Sequence, residues 1–516
     1  MSSTAAAAIA ARPADRFMIT LAVMSSTLIQ VLDTTIVNVA LPHMQGELGA
    51  NSDQISWVLT SYLVSSAICM PLTGYMSDVL GRKRFLLLCI FGFVVASALC
   101  GISQGVSEIV LFRLLQGVFG AALVPLSQAI MSDAYPPEER GKAMAIWGMG
   151  VSVGPILGPT LGGWLTEVAG WRWTFYINLP IGALSLFLAS QYVPETVRRA
   201  RRMDWTGFGL MVVGVASMQY LLDRGNHQDW FSAADIRAAA VLGVVGLGCF
   251  LYYSIKRGRD AVFNVHIFRD RNFGMACLVM SLMGLGMFGS MIVQPILLEG
   301  LLGYPIVDTG IIMAPRAVTS AIVMMVVGRL ISTIDARWLM VTGLVISAIG
   351  SYAMTAYSLE VTTAWLIWPS IVMGIGQGLI FVPISTIAYA TLDRSRMAEA
   401  AGIFSLVRTI GGAIGISIVT TVMTRQSQVL WNELGAHITM YHGALRSYLG
   451  ALHLSASDPR GLAVVADQVG TQAQMGALLD VFMLITWSYL FMIPLMFLLR
   501  KGSQSDVGAR AAEAMD

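Results

Sequence analysis

Runs of apolar residues, each long enough to form a membrane-spanning helix, follow one another along almost the entire chain. A helix needs about 20 apolar residues to cross the hydrocarbon core of a bilayer, and only helices and closed barrels satisfy their backbone groups there. Charged residues make up 12% of the sequence, whereas soluble proteins contain about 25%. We therefore expect an all-α integral membrane protein with fourteen transmembrane helices. The predicted spans are roughly 17–41, 55–76, 85–104, 108–131, 143–167, 173–193, 204–222, 236–255, 272–298, 308–332, 337–358, 363–391, 402–425 and 478–499.

The distribution of lysine and arginine predicts how the chain is oriented in the membrane. The first apolar run, 17–41, is too long for the apolar core of a cleaved signal peptide, so we expect it to remain as the first helix. With residues 1–16 in the cytoplasm, the inside segments carry 23 basic residues and the outside loops carry 6. Basic residues accumulate on the cytoplasmic side. Residues 1–16 and the tail 500–516 are therefore both predicted to be cytoplasmic, in a multi-pass protein of the cytoplasmic (inner) membrane.

A weak internal repeat divides the chain into two similar parts. The pattern Gly-x-x-x-Val-Pro-Leu-Ser at 120–127 recurs 258 residues later as Gly-x-x-x-Val-Pro-Ile-Ser at 378–385. One large class of secondary transporters consists of two parallel six-helix halves. The offset predicts an N-terminal six-helix bundle over 17–193 and a C-terminal one over 272–499. Residues 194–271 then form a linker that contains two inserted helices.

An aspartate interrupts the first apolar run near its middle. A carboxylate at the centre of a spanning helix costs about 2.5–3.5 kcal/mol on insertion scales, so Asp33 needs a compensating role. Gln30, Thr34 and Asn38 lie on the same side of the helix as Asp33, which predicts a polar face turned toward a cavity. A carboxylate whose protonation depends on access to one side of the membrane can couple transport to protons. The alternative is a structural hydrogen bond to a neighbouring helix.

Arg113 is the second costly charge, in the fourth predicted span. Because a guanidinium stays protonated, Arg113 does not itself carry the proton, but it can control the protonation of a nearby carboxylate. Gln116 lies one turn away and is a candidate to line the same path. The alternative is an arginine that binds backbone carbonyls left free near Gly117 and Gly120.

Glycines recur at every fourth position of the fifth predicted span. This helix-packing motif consists of Gly150, Gly154, Pro155, Gly158, Pro159 and Gly162. Four glycines on one helix face allow another helix to approach almost backbone to backbone, either as static packing or as a pivot. The 258-residue offset makes span thirteen the equivalent of span five, and Gly411, Gly412 and Gly415 thin that helix too. We therefore expect the two glycine faces to meet where the halves rock and seal.

Several motifs resemble those of the major facilitator superfamily. The loop Gly74-Tyr-Met-Ser-Asp78-Val-Leu-Gly81-Arg82 is similar to its loop motif, Arg113-x-x-Gln116-Gly to its fourth-span element, and the glycine stripe to its antiporter motif. Leu32–Pro42 and Trp171–Gly182 narrow the resemblance to the fourteen-helix drug:proton antiporters, the EmrB/QacA-like multidrug exporters. One departure is a degraded second copy of the loop motif at Gly328–Arg337.

The resemblance implies a function and roles for particular residues. It implies proton-driven efflux of hydrophobic or amphiphilic drugs, with Asp33 and Arg113 in proton coupling. It also implies a cytoplasmic gate in which Asp78 faces the N-terminus of span thirteen. The gate candidates are Gly74, Asp78, Gly81 and Arg82. The outside loop 426–475 is predicted either to dock a periplasmic adaptor of a tripartite pump with an outer-membrane channel, or to cap the exit. A dedicated exporter of a single metabolite is the alternative function.

Other polar residues within spans are candidates to line a cavity. The candidates beyond the first span are Gln116, Asn178, Arg316, Gln377 and Arg408. Arg316 and Arg408 either favour anionic or zwitterionic cargo, or pair with Asp393, Glu399 or helix ends. The sequence contains no zincin or P-loop motif. We therefore expect no enzyme activity, cofactor, metal site or nucleic-acid partner.

Overall fold

The computed structural model describes residues 13–136, 139–198, 202–258, 261–262, 264–331, 333–392, 396–439, 443–455 and 458–499, and every regular element in these segments is helical. The N-terminal half contains α1 (Pro13–Glu47), α2 (Ser52–Cys69), α3 (Leu72–Leu80), α4 (Arg82–Ile102), α5 (Val106–Gly120), α6 (Leu123–Ala134), α7 (Arg140–Ala169), α8 (Trp173–Tyr176) and α9 (Asn178–Tyr192). The inserted pair is α10 (Trp205–Arg224) and α11 (Ala234–Arg257). The C-terminal half contains α12 (Arg271–Gly284), α13 (Ser290–Pro295), α14 (Ile306–Leu330), α15 (Ala336–Met354), α16 (Thr363–Ala390), α17 (Met397–Ala436), α18 (Gly443–Ala451) and α19 (Pro459–Met496).

Most of the predicted spans correspond to helices that are long and apolar enough to cross a membrane. Among the described residues there are twelve such helical runs, or thirteen when the bent pair α2 and α3 counts as one span. The fifth predicted span lies in α7, a 30-residue helix that is not one of these thirteen. The all-α membrane fold is therefore confirmed, whereas the count of fourteen spans stays a prediction.

Breaks in three of the spans follow from their sequences. α2 and α3 meet at an angle of 61° because Pro71, which precedes α3, cannot donate a backbone hydrogen bond to the preceding turn. α5 and α6 form one run of 29 residues, Val106–Ala134, that is interrupted just before Pro125. The ninth predicted span is divided most, because π-helical segments at Leu285–Gly289 and Ile296–Leu301 flank the six-residue α13.

The inserted pair packs against both halves of the molecule. α10 lies beside α11 and also contacts α2 and α17. On the α2 side, Trp57 stacks on Tyr220 with 6.0 Å between ring centres. On the α17 side, Trp230 Nε1 donates a hydrogen bond to Thr421 Oγ1 at 3.2 Å. Within the predicted linker, α10 and the segment that follows it thus bridge the two halves.

The predicted outside loop 426–475 contains the ends of two long helices. α17 is 40 residues long and ends at Ala436, and α19 is 38 residues long and begins at Pro459. At about 1.5 Å per residue, each helix is far longer than a hydrocarbon core of about 30 Å. Hydropathy marks where a helix leaves the lipid and not where it ends. Much of the predicted loop therefore continues the two helices, with α18 between them.

Candidate functional site

The centre of the N-terminal half holds a buried ion pair between α1 and α5. Asp33 has no exposed surface, and its Oδ2 accepts a hydrogen bond from Arg113 Nη1 at 2.5 Å. The other carboxylate oxygen, Oδ1, accepts from Gln116 Nε2 at 2.8 Å and from Asn178 Nδ2 at 3.1 Å. The carboxylate is thus held by one cation and two neutral amides, which come from α5 and α9.

The guanidinium of Arg113 is enclosed as completely as the carboxylate that it binds. Its Nε donates to the carbonyl oxygen of Val58 at 3.0 Å, and its Nη1 also donates to Gln116 Oε1 at 2.8 Å. The ring of Tyr62 lies 4.3 Å from the guanidinium carbon, within the range of a cation–π interaction. The predicted alternative of bonds to carbonyls freed by glycines is wrong, because the carbonyl that Arg113 binds belongs to α2.

A further layer of hydrogen bonds orients these side chains. Asn178 Nδ2 also donates to Ser97 Oγ at 3.0 Å, and Ser97 Oγ donates to the carbonyl of Phe175 at 2.9 Å. The sequence predicted Asn178 and Gln116 as candidates and missed Ser97 and Tyr62. Serine and tyrosine occur at many positions in these spans, so only their position opposite Asp33 and Arg113 distinguishes them.

The polar residues of the first predicted helix differ in how deeply they are buried. Gln30 is buried and donates to the Tyr62 hydroxyl at 3.3 Å. Thr34 donates to the carbonyl of Val31 in its own helix, and Asn38 is exposed. Asp33 is fully buried. That these four side chains line one cavity stays a prediction.

The arrangement has two alternative charge states. With Asp33 ionised, the pair is neutral as a whole and every carboxylate oxygen is hydrogen-bonded. With Asp33 protonated, Arg113 loses its counter-charge and keeps only neutral partners. A buried cation without a counter-ion is costly, so proton binding favours a rearrangement of α1 relative to α5. Neither group reaches solvent in this conformation.

The gate candidates lie where the two halves touch, at the end of the molecule predicted to be cytoplasmic. A Cβ atom added to Gly74 would lie 2.7 Å from the Cα of Glu399, and one added to Gly402 would lie 2.8 Å from the carbonyl oxygen of Met70. α3 and the first turns of α17 are therefore in backbone contact. Asp78 lies one turn beyond Gly74 on the same face of α3, toward the N-terminal end of α17.

Gly81 and Arg82 make contacts within the N-terminal half. Gly81 has φ of +83°, a conformation that side chains with a Cβ disfavour, and it joins α3 to α4. The backbone nitrogen of Arg82 donates to Thr196 Oγ1 at 2.8 Å, and its guanidinium pairs with Asp133. Arg82 thus fixes the start of α4 against the end of α6 and the segment after α9.

A model of the Major Facilitator Superfamily matches residues 23–416. The chain belongs to this superfamily. Superposition agrees with the assignment. The human organic anion transporter MFSD10 aligns with a TM-score of 0.60 over 93% of this chain and 100% of that one, at 16% identity. The proton:xylose symporter XylE aligns with a TM-score of 0.58 over 93% and 95%, at 14% identity. At these identities the superpositions show the fold alone.

Curated relatives narrow the position within the superfamily. The fatty acid resistance protein FarB of Neisseria gonorrhoeae is 32% identical, covering 95% of this chain and 97% of its own length. The multidrug export protein EmrB is 34% identical in Haemophilus influenzae, over 92% and 93% of the two chains. In Escherichia coli K12 it is 33% identical, over 93% and 94%. The predicted resemblance to EmrB-like members of the superfamily is confirmed, and the protein is a multi-pass membrane transporter and not an enzyme.

The antiporter-like glycine motif of this superfamily member packs inside one half. A Cβ added to Gly154 would lie 2.8 Å from Val31 Cβ, one on Gly158 would lie 3.2 Å from the Ile36 nitrogen, and Gly150 faces Met24. One on Gly162 would lie 2.8 Å from the Ile36 carbonyl oxygen. The partner of this face is α1, the helix that carries Asp33. The side chain of Pro155 lies outside the described part, and Pro159 is a helical residue of α7.

The glycines of span thirteen make the equivalent contact in the other half. Cβ atoms added to Gly411 and Gly415 would each lie 2.5 Å from a Cα atom, that of Ser281 on α12 and that of Leu285 just after it. The expectation that the two glycine faces meet each other is therefore wrong. Each packs on the first helix of its own half, because the repeat relates contacts within a half and not contacts between halves.

A second face of α7 makes the contact between halves that the glycine motif was expected to make. On this face, Gly148 lies against Met324 and Gly163 against Ile306, and a Cβ added to either glycine would lie 3.1 Å from that side chain. A Cβ added to Gly328 of α14 would lie 2.8 Å from Ala145 Cβ. Small residues on both helices thus allow α7 and α14 to pack closely along their length. These glycines do not follow a four-residue period, which is why the sequence did not reveal them.

The other cavity candidates lie in the C-terminal half. Arg316 is 9% exposed and donates to Ser290 Oγ at 2.8 Å and to Gln377 Oε1 at 3.3 Å. Arg408 is half-buried on α17 and makes no ion pair with any residue in the described segments. Asp393, one of its predicted partners, lies outside the described residues, and the other, Glu399, accepts a hydrogen bond from the backbone nitrogen of Asn264.

Proposed function

We propose that this transporter exports hydrophobic or amphiphilic compounds across the bacterial cytoplasmic membrane in exchange for protons, with Asp33 as the proton-binding group. The observation that carries the proposal is the buried carboxylate, held by Arg113, Gln116 and Asn178 in the centre of the N-terminal half. The names of the relatives, multidrug export protein and fatty acid resistance protein, support export of apolar and amphiphilic cargo.

The packing of α1 supplies a route from proton binding to the contact between halves. α1 carries Asp33 and lies against the glycine face of α7, and the other face of α7 lies against α14 of the C-terminal half. A shift of α1 after protonation therefore acts on the helix that holds the halves together. One charge crossing 100 mV supplies about 2.3 kcal/mol, which corresponds to more than a tenfold gradient of cargo.

The projecting helices support a partner outside the membrane. α17 and α19 extend well beyond the length needed to cross a bilayer, and the extension of α17 exposes Val429, Trp431 and Leu434. Exposed apolar side chains on such an extension are suited to a protein partner. We propose that a periplasmic adaptor docks here and leads to an outer-membrane channel, with both termini of this chain in the cytoplasm.

Asp33→Asn tests the coupling assignment. In a strain without its own exporters, the variant should reach the membrane in normal amounts but lose resistance to a panel of uncouplers, dyes and antibiotics. In everted vesicles it should lose the proton movement that cargo induces. The control is Glu360→Gln, which removes an exposed carboxylate between α15 and α16 and should behave as wild type. If Asp33→Asn carries out proton-coupled efflux at the wild-type rate, the proposal is contradicted. If the wild-type transporter gives resistance to only one compound of the panel, the dedicated metabolite exporter is favoured instead.

A further inference from the structure

The C-terminal half contains a buried cation that its own partners do not neutralise. Arg316 on α14 donates to Ser290 Oγ at 2.8 Å, to Gln294 Oε1 at 3.4 Å and to Gln377 Oε1 at 3.3 Å. All three partners are neutral, and none of the salt bridges in the described segments includes Arg316. A buried ammonium or guanidinium normally has an ionised partner, because burial removes the hydration of its charge.

The two halves differ in whether their buried arginine has a counter-ion. In the N-terminal half, Arg113 has Asp33 as its counter-ion. The 258-residue offset relates Asp33 to Met291, which stands between Ser290 and Gln294 on α13. The helix that supplies the acid in one half thus supplies only neutral hydrogen-bonding groups in the other. The cluster around Arg316 carries the uncompensated charge of its guanidinium, where the cluster around Asp33 is neutral.

Hydrogen-bond donors at the same place also lack partners. Because a guanidinium can only donate, Gln377 turns its oxygen toward Arg316, and its amide nitrogen is left for other groups. Gln377 and the neighbouring Tyr489 hydroxyl are close enough to interact, but neither Gln377 Nε2 nor that hydroxyl makes a well-formed hydrogen bond within the part of the chain that is described. A buried donor without a partner costs about 1–3 kcal/mol. The buried guanidinium and these donors together are suited to bind a negatively charged hydrogen-bond acceptor.

The local backbone permits the site to change shape. Ser290 and Gln294 lie on α13, and π-helical segments precede and follow it. π-Helical turns are uncommon and occur frequently at functional sites. The surrounding helices contribute apolar core residues, among them Val293, Met373 and Ile485. A ligand at this place would have its charged group on Arg316 and an apolar portion among these side chains.

We infer that the cluster of Arg316, Ser290, Gln294, Gln377 and Tyr489 binds the carboxylate headgroup of an amphiphilic monoanion as cargo. A carboxylate presents two oxygens to the guanidinium fork and accepts from the amide and hydroxyl that lack partners. The inference rests on the proposed export function, whose cargo class it specifies. It assigns cargo binding to the C-terminal half and proton binding to the N-terminal half.

Binding to the purified transporter in a non-ionic detergent tests the inference. The probes share one tail length: sodium dodecanoate below its critical micelle concentration, and dodecyltrimethylammonium chloride. Dodecanoate should raise the unfolding temperature of the wild type, and Arg316→Gln should weaken its apparent affinity at least tenfold without weakening that of the cation. Arg224→Gln is the matched control, because it removes another buried arginine, which lies on α10 against Trp57.

A second variant covers the case in which Arg316→Gln does not fold. Gln377→Glu places a carboxylate beside the guanidinium, so it should preserve or raise stability and exclude dodecanoate. Equal affinity for dodecanoate in wild type, Arg316→Gln and Gln377→Glu overturns the inference. A response to sodium chloride that equals the response to dodecanoate also overturns it, since the site would then bind inorganic anions.

Asp33→Asn separates this inference from the proposed function. The variant should still bind dodecanoate with wild-type affinity while losing coupled proton movement. Suppose that dodecanoate binding requires Arg316 but proton coupling does not require Asp33. That result would contradict only the assignment of proton coupling to Asp33. Binding that is lost in Asp33→Asn but kept in Arg316→Gln would place cargo in the N-terminal half and overturn the inference.

Discussion

Asp33 and Arg113 each bury a charge that the other compensates. The carboxylate accepts one charge-assisted and two neutral hydrogen bonds, and the guanidinium adds a backbone carbonyl and an aromatic ring. Burying an ion pair contributes little net stability, but removing one partner leaves an isolated charge and costs about 3–5 kcal/mol. In the proposed function, these two residues form a switch whose two states differ by a single proton.

Removal of one charge from this pair should reveal the cost of leaving the other charge without a partner. Arg113→Gln leaves Asp33 without its cation, so we expect the free energy of unfolding to fall by about 3–5 kcal/mol. The double variant Asp33→Asn, Arg113→Gln removes both charges and should recover most of that loss, although neither variant should transport. The measurements are thermal unfolding in detergent and transport in vesicles. A double variant less stable than Arg113→Gln would show that the pair is held by hydrogen bonding and not by charge.

Among the helices, α7 packs against two neighbours through two separate sets of small residues. Its regular stripe, Gly150 to Gly162, meets α1 within the same half. Its irregular set, including Gly148 and Gly163, meets α14 of the opposite half. The first contact lies within one half, and the second joins the two halves.

Two leucine substitutions should separate these roles. Gly154→Leu forces a side chain against Val31 inside one half, and overpacking of this kind costs about 1–3 kcal/mol, so the unfolding temperature should drop. Gly328→Leu places a side chain against Ala145 of the opposite half. It should lower transport at least tenfold while leaving the unfolding temperature near that of the wild type. Gly248→Leu is the control, because no atom outside its own helix lies within 4 Å of a Cβ added there. If Gly154→Leu instead lowers transport and Gly328→Leu instead lowers the unfolding temperature, the regular stripe is the contact that moves.

Across the complete transporter, contacts between the halves are concentrated along α7 with α14 and along α3 and α6 with α17. The end predicted to be cytoplasmic is closed by the backbone contact at Gly74 and Gly402. The inserted pair adds a further bridge through α10. For transport by alternating access, we propose that α3 and α17 separate while α10 keeps the halves together.

A reversible cross-link at the gate should stop the cycle. A Cβ added to Gly74 would lie 2.8 Å from Glu399 Cβ, somewhat closer than the usual separation of about 3.5–4.5 Å in a disulfide. The double variant Gly74→Cys, Glu399→Cys, in a background without the five native cysteines, should cross-link on oxidation and lose transport. Reduction should restore it, and each single cysteine variant should be insensitive to oxidation. Transport that persists in the cross-linked protein would show that this contact does not open.

The amino-acid sequence alone was enough to predict the helical membrane fold, the family and the central charges. Apolar runs must become helices in lipid, and a charge such as Asp33 or Arg113 within them is too costly to be accidental. Which partner each residue meets became clear only from the packing of the helices. Hydropathy and glycine spacing describe one helix at a time, so they left open that α7 packs on α1 and α14, and that α17 continues past the membrane. They also left open that Arg316, unlike Arg113, is surrounded by neutral groups, because charge balance is a property of side chains from several helices.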